Sequence, residues 1–196
     1  MAGLRLTGDD RADHLLGSDP FALLVGMLLD QQIRMETAFA GPRRLLDRMP
    51  GAPERLDPVQ VAQMDPEELG AAMAGPPAVH RYHASMARRL QDLARAVRDE
   101  YDGDAAALWD TTDGAELLRR VKALPGFGEQ KARIFVALLG KQLAVRPEGW
   151  REAAGEYGED GVHRSVADVV DDDTLNQVRD FKQARKAAAK AASAST

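Results

Sequence analysis

Apolar residues recur at three- and four-residue spacing along nearly the whole of this 196-residue chain, and the strict alternation that a half-buried strand needs is missing. That pattern restricts the fold to packed helices. Composition agrees, since aromatics make up only 5%, β-branched runs are short, and the good helix formers Ala, Leu, Arg and Glu dominate. Asp19-Pro20, Asp57-Pro58 and Asp65-Pro66 supply start signals, because the aspartate accepts amides of the first turn and the following proline has its φ already set for a helix. Pro50-Gly51 and Gly75-Pro76-Pro77 supply stops. The spacing predicts a helical run from Phe21 that breaks near Gly41-Pro42, then short helices after Asp57 and Asp65. A long amphipathic helix follows, with Met86, Leu90, Leu93 and Val97 on one face, then short helices around 105–109 and 116–122. Farther on, 147–157 and 173–185 read as helices, with Asp173 as a cap, and the Ala/Lys-rich residues 186–196 as a flexible tail.

With 44% hydrophobic residues the chain can fill a core without staples. It contains no cysteine, which removes disulfides, thiolate catalysis and cysteine-ligated zinc or iron–sulfur sites. Of its four histidines, His80 and His83 stand three apart, and they read as a solvated helix start rather than a metal pair. No metal or cofactor is expected. Neither a leader-like N-terminus nor an apolar run of about 18 residues occurs, so the expected location is the cytoplasm, with no membrane contact. The net charge of −5 argues against broad attraction to nucleic acid, so any DNA contact must be local.

One stretch stands out, VKALPGFGEQKARIFVALLGK at 121–141. A helix ends at Ala123, Leu124-Pro125-Gly126-Phe127-Gly128 makes a tight corner, and a second helix begins near Glu129. Gly126 and Gly128 are expected to supply positive φ and to leave no Cβ between backbone and ligand, so that amides of the turn and of the new helix point outward. Such a nest binds an anion, and Lys131 is expected within reach of the same phosphate.

The segment closely resembles the helix-hairpin-helix motif of the endonuclease III and 3-methyladenine glycosylase II superfamily, Leu-Pro-Gly-(Val/Ile)-Gly with a following alanine, here Ala132. Leu29-Asp30-Gln31-Gln32-Ile33 resembles the Leu-x-Gln-Gln-(Ile/Leu) of alkylation-repair glycosylases, and His80 to Leu93 resembles that family's basic helix start. The resemblance covers residues 20 to 145 in order. It implies an all-α fold of two helical lobes with a central cleft. One is a six-helix lobe over 20–140 with the hairpin at 117–140, and the other is built from 1–19 and 141–185. It also implies a monomer that binds double-stranded DNA and flips a nucleotide.

By this resemblance Leu124, Gly126, Phe127, Gly128, Gln130 and Lys131 are the DNA-binding set. Gln31 and Gln32 would reach the flipped base or the DNA gap, or alternatively cross-link helices. Arg34 and Arg81 could touch phosphates or equally lie on solvated faces, and Tyr82 and Trp150 could stack a base or pack as helix staples. Members that nick DNA carry a lysine where this chain has Gln130, and Lys131 is turned about 100° away around the helix. The resemblance thus implies a glycosylase without lyase activity. It also implies an aspartate at the start of the helix after the hairpin helix, and none stands there. Glu148, eighteen residues beyond Gln130, is the substitute candidate, although an acid after Pro147 also simply complements a helix dipole. Asp160 is the alternative. The four cysteines of the cluster-bearing branch are missing, so the likeness is to the cluster-free alkylation or uracil type. The expected function is base-excision repair by a monofunctional DNA N-glycosylase, or alternatively recognition of bent or damaged DNA without catalysis.

Overall fold

The computed structural model describes residues 3–51 and 53–194. Eleven α-helices run in chain order among these residues: α1 (Asp10–Ser18), α2 (Pro20–Leu29), α3 (Met35–Phe39), α4 (Gly41–Leu46), α5 (Pro58–Gln63), α6 (Pro66–Ala74), α7 (His83–Glu100), α8 (Gly114–Ala123), α9 (Glu129–Gln142), α10 (Trp150–Ala154) and α11 (Asp172–Ala194). Short 3₁₀ turns lie at Ala105–Trp109, Gly155–Tyr157 and Val166–Asp168. No strand occurs among the described residues, so the fold is all-α.

Helix α2 shows how the chain organises itself. Asp19 accepts the amides of Phe21 and Ala22 through its side chain, Pro20 takes the first helical position, and every residue from Phe21 to Leu29 is buried. A helix apolar on all sides belongs inside, and α1, α3 and α4 wrap it. The second carboxylate oxygen of Asp19 accepts the Leu56 amide at 2.7 Å, which ties the 53–57 loop to the same corner. Asp57 and Asp65 cap α5 and α6 in the expected way, and both helices pack on α7.

Helices α8 and α9 meet at the 124–128 corner, and α10 packs across both near their far ends. The indole of Trp150 fills the space beside Gly140, where any Cβ would overlap its ring, and a Cβ on Gly114 would lie 2.5 Å from the Trp150 nitrogen. Two glycines therefore let one tryptophan wedge between the helices. Backbone bonds complete this end, with the Gly114 amide donating to Glu148 O (2.7 Å) and the Glu148 amide donating to Thr112 O (2.8 Å).

The structure departs from the sequence expectation at four places. The run expected to continue past Leu29 is interrupted over 30–34, where Gln32 takes φ 56°. Its neighbourhood explains the break, because Nε2 of the buried His80 bonds the Gln31 carbonyl oxygen (2.9 Å) while the His80 Nδ1 accepts the Tyr82 amide (3.0 Å). His80 is thus an interior support rather than a solvated helix start. The helix expected over 147–157 begins only at Trp150, since Glu148 is held by the bonds to 112 and 114. Last, α11 runs unbroken to Ala194 where flexibility was expected from residue 186, and its cap is Asp171, which accepts the Thr174 amide, rather than Asp173. Ala and Lys are strong helix formers, and the apolar stripe that α11 lacks is partly replaced by ion pairs. Residues 195 and 196 lie outside the described residues.

Candidate nucleic-acid interface

Leu124 and Phe127 anchor the hairpin from below. Both are buried, and Phe127 packs edge-on against Phe135 at 6.0 Å, so these two members of the expected DNA-binding set belong to the core. The turn above them is exposed at Gly126, Gly128, Glu129 and Gln130. Gly126 has φ +85°, and a Cβ there would lie 2.5 Å from Leu28 Cδ1, so the fold itself demands glycine. Gly128 is different. Its φ is −75°, not the positive value expected, and a Cβ would meet nothing within 4 Å. Nothing in the folding of the corner calls for glycine at 128, which leaves the room above it as what the missing side chain provides.

Helix α9 starts at this open position without a side-chain cap. Aspartates cap α1, α2, α5, α6 and α8, whereas the amides of Gly128, Glu129, Gln130 and Lys131 have no acceptor among the described residues. Several free N–H groups at the positive end of a 14-residue helix are the arrangement that an anion site requires. Glu129, on the flank of this turn, is held below the usual carboxylate range by bonds from Lys122 and then Arg133.

Lys131 does not point at that site. Its Nζ donates to the carbonyls of Met27 (2.7 Å) and Leu28 (3.0 Å), the last turn of α2, and lies 5.9 Å from the Phe127 ring centre. Burial pushes this ammonium down to about 8, against the opposing pull of Asp30. The expected phosphate contact is therefore replaced by an interior one that neutralises the negative end of α2. Gln130, where nicking members carry lysine, donates from Nε2 to the Tyr157 hydroxyl at 2.9 Å.

The two glutamines divide their roles. Gln31 donates to Leu28 O (2.8 Å) and accepts from Arg89 (2.9 Å), so it cross-links α2 and α7. Gln32 is exposed and lines a groove of about 1300 Å³ bounded by segments 32–37 and 78–81 on one side and α11 on the other. Arg34 and Arg81 face the same groove, and Arg81 rests on the ring of Tyr82, which is 44% exposed. Trp150 is buried in the α8–α9 wedge, not placed to stack a base.

Neither candidate carboxylate lies near the corner. Glu148 is bonded through its backbone to the start of α8, and α8 and α9 carry it some 15–20 Å, the lengths of these helices, from the hairpin. Asp160 is paired with Arg151 (2.9 Å) in a turn whose Glu159 carbonyl accepts from Lys141, at the far end of α9. The sequence count of eighteen residues did not reveal that the chain stays at that end instead of returning. The carboxylates near the groove are Asp30 and Glu36. Asp30 lies 3.7 Å from Lys182, and Glu36 is paired with Arg179. Sequence reasoning singled out neither, and it read α11 as a helix only as far as residue 185; the one available signal was the position of Asp30 next to the glutamine pair.

A family model described as the HhH-GPD superfamily base excision DNA repair protein matches residues 25–194. The chain belongs to this family. The match takes in the hairpin, the glutamine pair, the groove and α11, so this HhH-GPD protein is a base excision DNA repair protein by family, and its all-α fold agrees. A comparison with curated proteins finds no match.

Proposed function

We propose that this HhH-GPD protein is a monofunctional DNA N-glycosylase that grips a duplex at the 124–131 corner, turns a damaged nucleotide into the groove beside Gln32, and hydrolyses its glycosidic bond. The observation that carries this reading is the open corner at Gly128, where four unpaired amides face a space that packing does not require to be empty. The groove is read as the cleft between the 20–140 lobe and the elements of 1–19 and 141–185. The protein works as a monomer on double-stranded DNA, in the cytoplasm with the nucleoid, and without a cofactor.

Hydrolysis needs water at C1′ and stabilisation of an oxocarbenium-like sugar; the base leaves with the bonding electrons and is protonated, while a carboxylate takes the proton of the water. Asp30 and Glu36 are assigned this task in place of Glu148 and Asp160. Gln130 bears an amide rather than an amine, which supports hydrolysis without strand nicking. The test is a panel of duplexes carrying uracil, hypoxanthine, 3-methyladenine and 8-oxoguanine, followed by alkaline cleavage. Product from one lesion is expected, lost in Asp30→Asn or Glu36→Gln and retained in Glu148→Gln and Asp160→Asn. A second reading, DNA recognition without catalysis, is favoured by the distance of Glu148 and Asp160 from the corner, and it predicts tight binding with no product from any lesion.

A further inference from the structure

The groove beside α11 carries a charge opposite to that of the chain. The protein has a formal net charge of −5, yet Arg34 and Arg81 stand on one wall of the groove, Arg179, Lys182 and Lys186 on the other, and Glu36 is the one carboxylate among the described lining residues. Arg34 and Lys186 have no carboxylate partner among the described residues, and Arg81 lies over an aromatic ring 4.8 Å away. Five cations gathered with only two carboxylate partners, Glu36 and Asp30, repel one another, and a polyanion relieves that repulsion.

We propose that α11 and the opposite wall form a second surface for a nucleic-acid backbone, separate from the hairpin, along which a short run of phosphodiesters lies. This rests on the DNA-binding reading above and adds where the strand runs. Residues 179, 182 and 186 follow one face of a helix and extend over about 10 Å, and a duplex strand places a phosphate about every 3.4 Å along its axis, so the row matches roughly three phosphates.

The way α11 is attached suits such a ligand. From Asp172 to Ala191 only Val178 is fully buried, and the helix is held by Arg179 to Glu36, Lys182 to Asp30 and Arg185 to Glu156, about one ion pair per turn. Exposed pairs of this kind are individually weak, so phosphates can take over the cations without dismantling the fold. Exchange at Arg179 and Lys182 would also leave Glu36 and Asp30 without their partners, next to the bound strand.

The experiment measures binding of the full-length chain to a fluorescein-labelled duplex with a stable abasic analogue, by anisotropy over a series of KCl concentrations. Each phosphate neutralised contributes about −0.9 to the slope of log K against log salt. The double variant Lys182→Gln/Lys186→Gln is expected to flatten the slope by about 1.8, equivalent to an affinity loss on the order of 50-fold at 0.1 M salt. Arg34→Gln/Arg81→Gln, on the wall that does not depend on α11 docking, is expected to flatten it as much. Wild-type slopes in both double variants, with binding lost in Gly128→Asp, would overturn the groove proposal and leave the hairpin reading standing. No binding by the wild type at 50 mM salt would overturn both.

Discussion

Alanine at Gly126 and alanine at Gly128 should part the stability of the hairpin from its grip on DNA. At Gly126 the new Cβ meets two penalties. A left-handed φ of +85° costs alanine roughly 1–2 kcal/mol, and crowding Leu28 Cδ1 at 2.5 Å inside a filled core adds about 1–3 kcal/mol. The sum, about 2–5 kcal/mol, lowers the melting temperature by on the order of 4–20 °C for a chain of this size. At Gly128 the backbone is already extended and the space is open, so alanine fits and, by restricting the unfolded chain, stabilises by up to about 1 kcal/mol. The same methyl stands between the free amides and an approaching phosphate. Loss of one or two charge-assisted bonds there corresponds to roughly a 10- to 100-fold weaker complex. Urea denaturation followed by circular dichroism gives the first pair of numbers, and anisotropy with a labelled duplex gives the second. A Gly128→Ala protein that binds like the wild type, or that loses stability, would refute the assignment of the corner as an anion site.

Lys131 gives a pH signature. Its ammonium is depressed to about 8 by burial, so in the window from about 8 to 10.5 the unfolded chain binds the extra proton and stability contributed by this group rises with pH; the difference in unfolding free energy between wild type and Lys131→Met should grow across that window, and a constant difference would contradict the buried placement. Gly140→Ala drives a methyl into the Trp150 ring and should cost about 2–4 kcal/mol with a shift in tryptophan emission; unchanged emission and stability would mean that the wedge is not packed as described. Asp168→Ala removes a side chain that is 3% exposed and bonded to Lys141 at 2.5 Å and to the amides of Arg164 and Ser165, and should cost about 3–5 kcal/mol, measured by chemical denaturation, because Lys141 is left largely buried with the Glu159 carbonyl but no counter-ion.

What the sequence discloses here is what is local. Asp19-Pro20, Asp57-Pro58 and Asp65-Pro66 each cap the helix they open, because capping involves residues two or three apart and is complete within one turn. The hairpin is legible for the same reason. Interactions set by distant partners were not. The inward turn of Lys131 depends on carbonyls more than a hundred residues earlier, and the confinement of Glu148 depends on a bridge to 112–114. In α11 the periodic apolar signal is absent because its partners, Glu36, Asp30 and Glu156, are scattered along the chain, so the helix was legible only to residue 185 and its last turns, from Lys186 of the groove onward, looked like a tail.

The placement of the two tryptophans has a practical outcome for anyone studying this molecule in solution. Trp109 packs with its ring tilted against Phe135, centroids 6.0 Å apart, and Trp150 fills the α8–α9 wedge, so both indoles sense the hairpin's scaffold, and neither lines the groove. Intrinsic emission should thus track assembly of that scaffold while staying nearly silent when a strand occupies the groove. Because the chain has no native thiol, one cysteine introduced on α11 would take a dye at a single address and report what the indoles do not.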